Sequence, residues 1–213
     1  MVGPHVISPA TLLRSKPLIW ALLVLPGLWP LGPLWLWPNP TAQTDPLRFV
    51  LHHWGFIACV VLAVGLSFSP LRVLWPQAGW IQALNRHRRL VGVAAFTYAL
   101  LHFCVQVWYV WDPELQLAVL GKELRKPFQM AGLIALAILL ALAITSVNAL
   151  VRQLGSKRWK LLHRLVYVAA ALAAYHQAAA RKTFPLQVVW IFGPVLALQA
   201  ARIVRHFRTP RAS

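Results

Sequence analysis

Six apolar runs, each close to the length of one membrane-crossing helix, leave this chain few folds to choose from. They lie at about 17–37, 48–68, 89–111, 128–150, 160–180 and 186–204. The hydrocarbon layer of a bilayer is about 30 Å thick and takes about 20 helical residues to cross. In lipid, only helices and closed barrels satisfy their own backbone hydrogen bonds. The runs show no period-two alternation of the kind a barrel needs. The sequence therefore predicts an all-α integral membrane protein, a bundle of six transmembrane helices. No internal repeat and no long linker divides residues 1–213, so one transmembrane domain is expected. Pro26, Pro30 and Pro33 predict a kinked or frayed outer end for the first helix. The second is expected to stop before Pro70, and the sixth contains Pro194.

Charge sets the orientation. Only 12% of the residues are charged and 59% are hydrophobic. That is about half the charged share of a soluble domain. The 21 Lys+Arg against 4 Asp+Glu give a formal net charge of +17. Such an excess also occurs in nucleic-acid binders. Here, however, the basic residues stand in short clusters between apolar runs, which is the membrane pattern. A soluble enzyme and a nucleic-acid binder are both excluded, and the lipid bilayer is the surrounding medium. With the N-terminus inside, fifteen basic residues fall on the inner side, many of them in Arg86–Arg89, Arg152–Arg164 and Arg202–Arg211. Six fall outside, together with all four acids: Asp45, Asp112, Glu114 and Glu123. The positive-inside rule then predicts that both termini are cytoplasmic. Trp20, Trp35, Trp37, Trp75, Trp108, Trp111 and Trp159 lie near predicted helix ends, as an interfacial belt requires. Cys59 and Cys104 fit no metal-binding spacing and are expected to be small packing residues. Arg14 and Lys16 precede the first run, but no small-residue cleavage site follows convincingly, so it reads as a membrane helix rather than a signal peptide.

The histidines carry the chemistry. An ionisable residue within a membrane span is costly and points to function. His102 stands thirteen residues past Arg89, about 20 Å from the inner face, in the outer half of the third helix. His176 lies late in the fifth helix, five residues before Arg181. The third and fifth helices run in the same direction, so the two residues reach similar depth. Two neutral imidazoles facing each other across a bundle can ligate one haem iron axially. His163 sits near the inner face, three residues after Lys160. On an ideal helix His163 and His176 are about 140° apart, which tilt or a wedged cofactor must absorb. Fourteen residues before His102, on nearly the same face, stands Arg88. Arginine stays protonated and is a poor iron ligand, but it suits a haem propionate or a flavin phosphate. The outer site is thus expected to be complete, and the inner site to hold one clear histidine. His87 points about 100° away from Arg88's face. His52 and His53, at the outer start of the second helix, either line a quinol site, assist the outer haem or face water. His5 and His206 read as solvated tail residues. The cluster Arg86-His87-Arg88-Arg89 reads mainly as an inner anchor.

Four stretches together resemble a known family. They are RRLVGVAAFTYALLH (Arg88–His102), LGKELRKP (Leu120–Pro127), ITSVNAL (Ile144–Leu150) and GSKRWKLLHRLVYVAAALAAYH (Gly155–His176). The set is similar to the MsrQ (YedZ) family, the haem-binding membrane subunits of bacterial methionine sulfoxide reductase systems. That family lies within the wider ferric-reductase-like transmembrane class. The resemblance covers about 45–182. It implies a multi-pass protein of the bacterial inner membrane that carries b-type haem, one or two per chain, and FMN. It implies electron transfer from the quinone pool or a cytosolic flavin reductase to a periplasmic molybdopterin subunit, MsrP, for repair of oxidised envelope proteins. The family's histidines fall on His102, His163 and His176, its outer second-helix histidine on His52, and a basic position on Arg88. His87 matches no family histidine.

The residues themselves show no catalytic triad, paired-carboxylate site, GxGxxG or phosphate loop. Six spans leave no room for a nucleotide-binding domain, so reducing equivalents must come from outside the chain. An electron-transfer subunit, rather than the catalytic one, is expected. Lys122, Glu123 and Arg125 in the 112–127 loop are expected to contribute to docking of the acceptor, or else to anchor the loop at the interface. Two alternatives stand beside this reading. One is a multi-pass transporter or proton relay using the histidines, although membrane acids and inverted repeats are missing. The other is a self-contained metal or oxygen reductase, which would need an open haem position and a donor domain.

Overall fold

The computed structural model describes residues 9–110 and 121–208, and every regular element among them is helical. His5, Trp111, Asp112, Glu114, Leu120 and Arg211 lie outside the described residues. The described helices are α1 (Pro9–Leu12), α2 (Lys16–Leu28), α3 (Pro40–Thr44), α4 (Pro46–Leu74), α5 (Gly79–Asn85), α6 (Arg88–Val110), α7 (Pro127–Ile144), α8 (Asn148–Leu162), α9 (Leu165–Ala179) and α10 (Gln187–Arg208). Four of them, α4, α6, α7 and α10, are long and apolar enough to cross a membrane; α2 and α9 are shorter apolar helices. Central to the packing is α4, which touches α2, α5, α6, α9 and α10, while α7 packs on α6 and α9. Leu62, Leu66, Ala95, Tyr98, Leu139 and Ala169 sit in the shared core.

The expected helix bounds need several corrections, each with a local cause. The first run, 17–37, is not one helix: α2 stops at Leu28 and a π-turn covers Gly32–Leu36. Pro30 and Pro33 have no N–H to donate to the carbonyls four residues earlier, on Pro26 and Trp29. Side chains of α4 and α6 take up the loose end. His53 Nε2 donates to the Pro26 carbonyl at 2.7 Å, and Trp54 Nε1 to that of Gly27 at 3.0 Å. The Tyr98 hydroxyl donates to the Leu23 carbonyl. The second helix does not end before Pro70 but runs on to Leu74. Pro70 leaves the Leu66 carbonyl without its helical donor, and Gln199 Nε2 of α10 supplies one at 3.1 Å.

The fourth run, 128–150, ends early at Ile144. Thr145 Oγ1 and Ser146 Oγ donate to the carbonyls of Ala141 and Leu142 at 2.7 and 2.8 Å, turning side chains onto the last helical acceptors. A separate helix follows, α8, with no buried residue and a bend at Gly155, whose φ of 73° suits a residue without Cβ. The fifth run, 160–180, is broken at His163–Arg164, between α8 and α9. The ideal-helix angle between His163 and His176 therefore does not apply. The sixth extends to Arg208.

Basic side chains meet at one end of the bundle. Arg202 Nη1 donates to Ser69 Oγ at 3.1 Å, Arg205 Nη1 to the Leu74 carbonyl, and Arg89 Nη1 to Asn148 Oδ1. Trp20, Trp35, Trp37, Trp75 and Trp108 are exposed, whereas Trp159 turns inward. Cys59 is buried and Cys104 exposed, both as free thiols.

Candidate functional site

His102 on α6 and His176 on α9 face each other across the bundle. Their ring centroids are 6.0 Å apart, with the planes at 80°. His102 Nδ1 lies 2.9 Å from the Leu51 carbonyl of α4, and His176 Nδ1 lies 2.7 Å from the Phe128 carbonyl of α7. A carbonyl only accepts, so each Nδ1 carries the proton and each Nε2 keeps a free lone pair. That tautomer is the one a metal needs, and a second partner on Nδ1 is what usually fixes a ligating imidazole. A metal–imidazole bond is about 2 Å and a ring nitrogen lies about 1.1 Å from the ring centre, so one ion between two imidazoles holds their centroids about 6 Å apart. The observed spacing meets that requirement.

Two glycines make this approach possible. A Cβ on Gly55 would stand 2.8 Å from His102 Nδ1, and one on Gly132 would stand 2.8 Å from His176 Nδ1. The two rings, together with residues of α6 and α7, line a cavity of about 90 Å³. Small residues, Ala58, Ala99, Ala135 and Ala173, open it, and Gln106, Glu123 and Gln129 are polar neighbours.

A second, roomier cavity, of about 300 Å³, lies toward the basic end. His163 borders it from the break between α8 and α9. Its Nδ1 donates to the Trp159 carbonyl of its own helix at 3.1 Å, and Nε2 lies 3.4 Å from Ser146 Oγ. The ring stacks on Trp159 at 3.9 Å between centroids, and Arg88 Cζ sits 5.7 Å from the centre of the same indole. Arg89, Lys160 and Arg164 also border the space. Among the described residues no second imidazole reaches it. Leu62 and Leu139 border both cavities and so stand between them.

The remaining sequence candidates divide. His52 is exposed at the start of α4 and does not line the outer cavity. His53 holds α2 and stacks on Trp29. His87 Nε2 contacts the Leu13 carbonyl at 3.2 Å and so faces the N-terminal segment. Lys122 and Arg125 are exposed, while Glu123 borders the outer cavity and pairs with Lys126 at 2.5 Å. Among the described residues no three His, Cys, Asp or Glu side chains cluster as a metal site. The reading of the sequence overlooked Gly55, Gly132, Ser146 and the inward role of Trp159. The glycines carried a signal: within an apolar helix a glycine costs about 1 kcal/mol against alanine and asks for a reason.

The profile of the family described as ferric reductase like transmembrane component matches residues 54–174, which holds His102 and His163 and ends two residues before His176. The chain is 37% identical over 185 residues to the protein-methionine-sulfoxide reductase heme-binding subunit MsrQ of Herminiimonas arsenicoxydans, covering 85% of this chain and 82% of that one. It is 35% identical over 189 residues to the subunit of the same name from Brucella anthropi, covering 88% and 81%. The chain belongs to the MsrQ family, within the ferric-reductase-like transmembrane class. It is accordingly a multi-pass membrane protein. The magnetosome protein MamZ of Magnetospirillum gryphiswaldense shares 34% identity over 165 residues, which is 76% of this chain and 24% of MamZ. A segment like this MsrQ-type bundle thus also occurs inside a much longer protein.

Proposed function

We propose that this chain is the b-haem electron-transfer subunit of a bacterial methionine sulfoxide reductase system. It sits in the inner membrane as six spans, with the basic end and both termini in the cytoplasm. The carrying observation is the 6.0 Å spacing of the His102 and His176 rings, each with its Nδ1 anchored on a neighbouring helix. A bound b-type haem supplies a centre that accepts and releases one electron at a time. The chain's own residues do the rest. With that group bound, His102 and His176 would hold its iron through their Nε2 lone pairs, one from each side of the bundle. The apolar wall of Ala58, Leu136 and Leu139 excludes water and tunes the potential. At the other end His163 would hold an inner cofactor. Arg88, with Arg89, Lys160 and Arg164, meets that cofactor's anionic groups. Two haems, or one haem and FMN, satisfy this arrangement. Electrons enter from the quinone pool or a cytosolic flavin reductase and leave to a periplasmic molybdopterin subunit, MsrP. His52 stays assigned to the outer surface near the first site, within reach of quinol. Exposed Lys122 and Arg125, beside the Glu123–Lys126 pair, are assigned to docking the acceptor.

The test is a dithionite-reduced minus oxidised absorption spectrum of protein purified after expression with haem precursor supplied. Sharp b-haem bands are expected, together with a pyridine-haem and flavin count per polypeptide that separates the two cofactor arrangements. A spectrum without haem bands would sink this reading and return the chain to the transporter alternative.

A further inference from the structure

We propose that Gly55 and Gly132 are positioning residues for the two imidazoles, acting as paired clearances through which each ring reaches a helix carbonyl. The inference rests on the assignment of His102 and His176 as axial ligands and adds the residues that aim them. For the two imidazoles the same construction occurs twice. Leu51 and Gly55 are four residues apart on α4; Phe128 and Gly132 are four residues apart on α7. In an α-helix the amide of the later residue points at the carbonyl of the earlier one. A ring that is to share that carbonyl must therefore pass over the later residue. His102 Nδ1 does so at Gly55, 2.9 Å from the Leu51 oxygen. His176 Nδ1 does so at Gly132, 2.7 Å from the Phe128 oxygen. A Cβ at 55 would stand 2.8 Å from Nδ1 and 2.9 Å from Cε1 of His102; at 132 the distances to His176 are 2.8 and 3.0 Å. These are closer than real Cβ atoms come, and the opposing group is a ring held between helices rather than a free side-chain end.

One methyl group at either position thus pushes its ring off the carbonyl. The hydrogen bond that holds the proton on Nδ1 weakens, Nε2 turns away from its axis, and the imidazole becomes a poorer electron donor to the metal. A poorer donor stabilises the oxidised iron less, so the midpoint potential moves up. Gly27 clears the Tyr98 ring in the same way, on its path to the Leu23 carbonyl four residues earlier, but a phenol offers a metal no ring nitrogen. Gly193, in the middle of α10, would bring a Cβ no nearer than 3.8 Å to Val189.

The experiment compares Gly55→Ala, Gly132→Ala and Gly193→Ala in detergent-purified protein. Readouts are the reduced band positions, the low-spin resonance signals and the midpoint potential by redox titration. The first two variants are expected to show shifted signals and a raised potential, or to retain a several-fold smaller share of haem. Gly193→Ala should match wild type. Wild-type signals and potential in both Gly55→Ala and Gly132→Ala overturn the proposal. A variant that does not accumulate is replaced by a cavity test. In His102→Gly, added imidazole is expected to restore the low-spin spectrum; in His102→Gly combined with Gly55→Ala, where no ring is left to collide, restoration should need several-fold more imidazole. Equal requirements overturn the proposal. The ligand assignment fails separately, if His102→Ala and His176→Ala both keep the wild-type haem content.

Discussion

The two cavities of this bundle are built on opposite principles. The outer one receives one imidazole from each of two helices, and each ring is braced by the backbone of a third and a fourth. Its chemistry is symmetric and its surroundings are mainly apolar, with no cationic side chain in the lining. The inner one has a single imidazole, braced by a carbonyl of its own helix and by Trp159, in the company of four cationic side chains. A tertiary brace sets the distance between two ligands, whereas a local brace only sets the direction of one. The outer cavity is therefore suited to a metal held on both sides. The inner one is suited to a group held by its negative charges as much as by its metal.

The strongest way to break this contrast is His102→Ala or His176→Ala. Each is expected to remove the low-spin spectrum of the outer centre, with at least a tenfold loss of haem at that site, measured by pyridine-haem assay. Replacing His163 with Ala should leave that spectrum in place and remove only the inner component. If the outer bands vanish as well, the two sites are not independent. Next in size is the wall of the inner cavity. Gln199→Leu removes the side-chain amide that donates to the Leu66 carbonyl opposite Pro70. It is expected to destabilise the bundle by about 1–2 kcal/mol, since a buried acceptor left unmet costs about that much. Pro70→Ala restores a backbone donor and should suppress most of the loss, as read by thermal unfolding of the double variant. The smallest effect is expected for Trp159→Leu, which removes both the stack under His163 and the aromatic face beneath Arg88. A cation over an aromatic ring at an exposed site contributes about 0.5–1 kcal/mol. A few-fold loss in occupancy of the inner cofactor, with the outer spectrum unchanged, is the outcome to look for.

Much of this was legible from residue order. The third helix was expected at 89–111 and is found at Arg88–Val110; the sixth was expected at 186–204 and is found at Gln187–Arg208. The pairing of His102 with His176 followed from counting residues past Arg89 and before Arg181, because helical rise converts sequence distance into depth. The bounds near proline and hydroxyl residues did not follow. Pro70 reads as a stop, yet a glutamine 129 positions later supplies the missing donor. Residues 145–164 read as the ends of two spans, yet Asn148–Leu162 form a bent helix of their own with no buried residue.

Length, apolar period and the lopsided distribution of charge settled the class of this protein: a helical bundle in lipid, with most of its basic residues toward one end. These are properties of single helices in a bilayer, and each can be judged without knowing its neighbours. Which ring nitrogen holds a proton, which carbonyl braces it and which glycine lets it pass are properties of pairs of helices. They depend on rotation and offset between segments that lie tens of residues apart, and no local pattern encodes those. Only the packed bundle decided them.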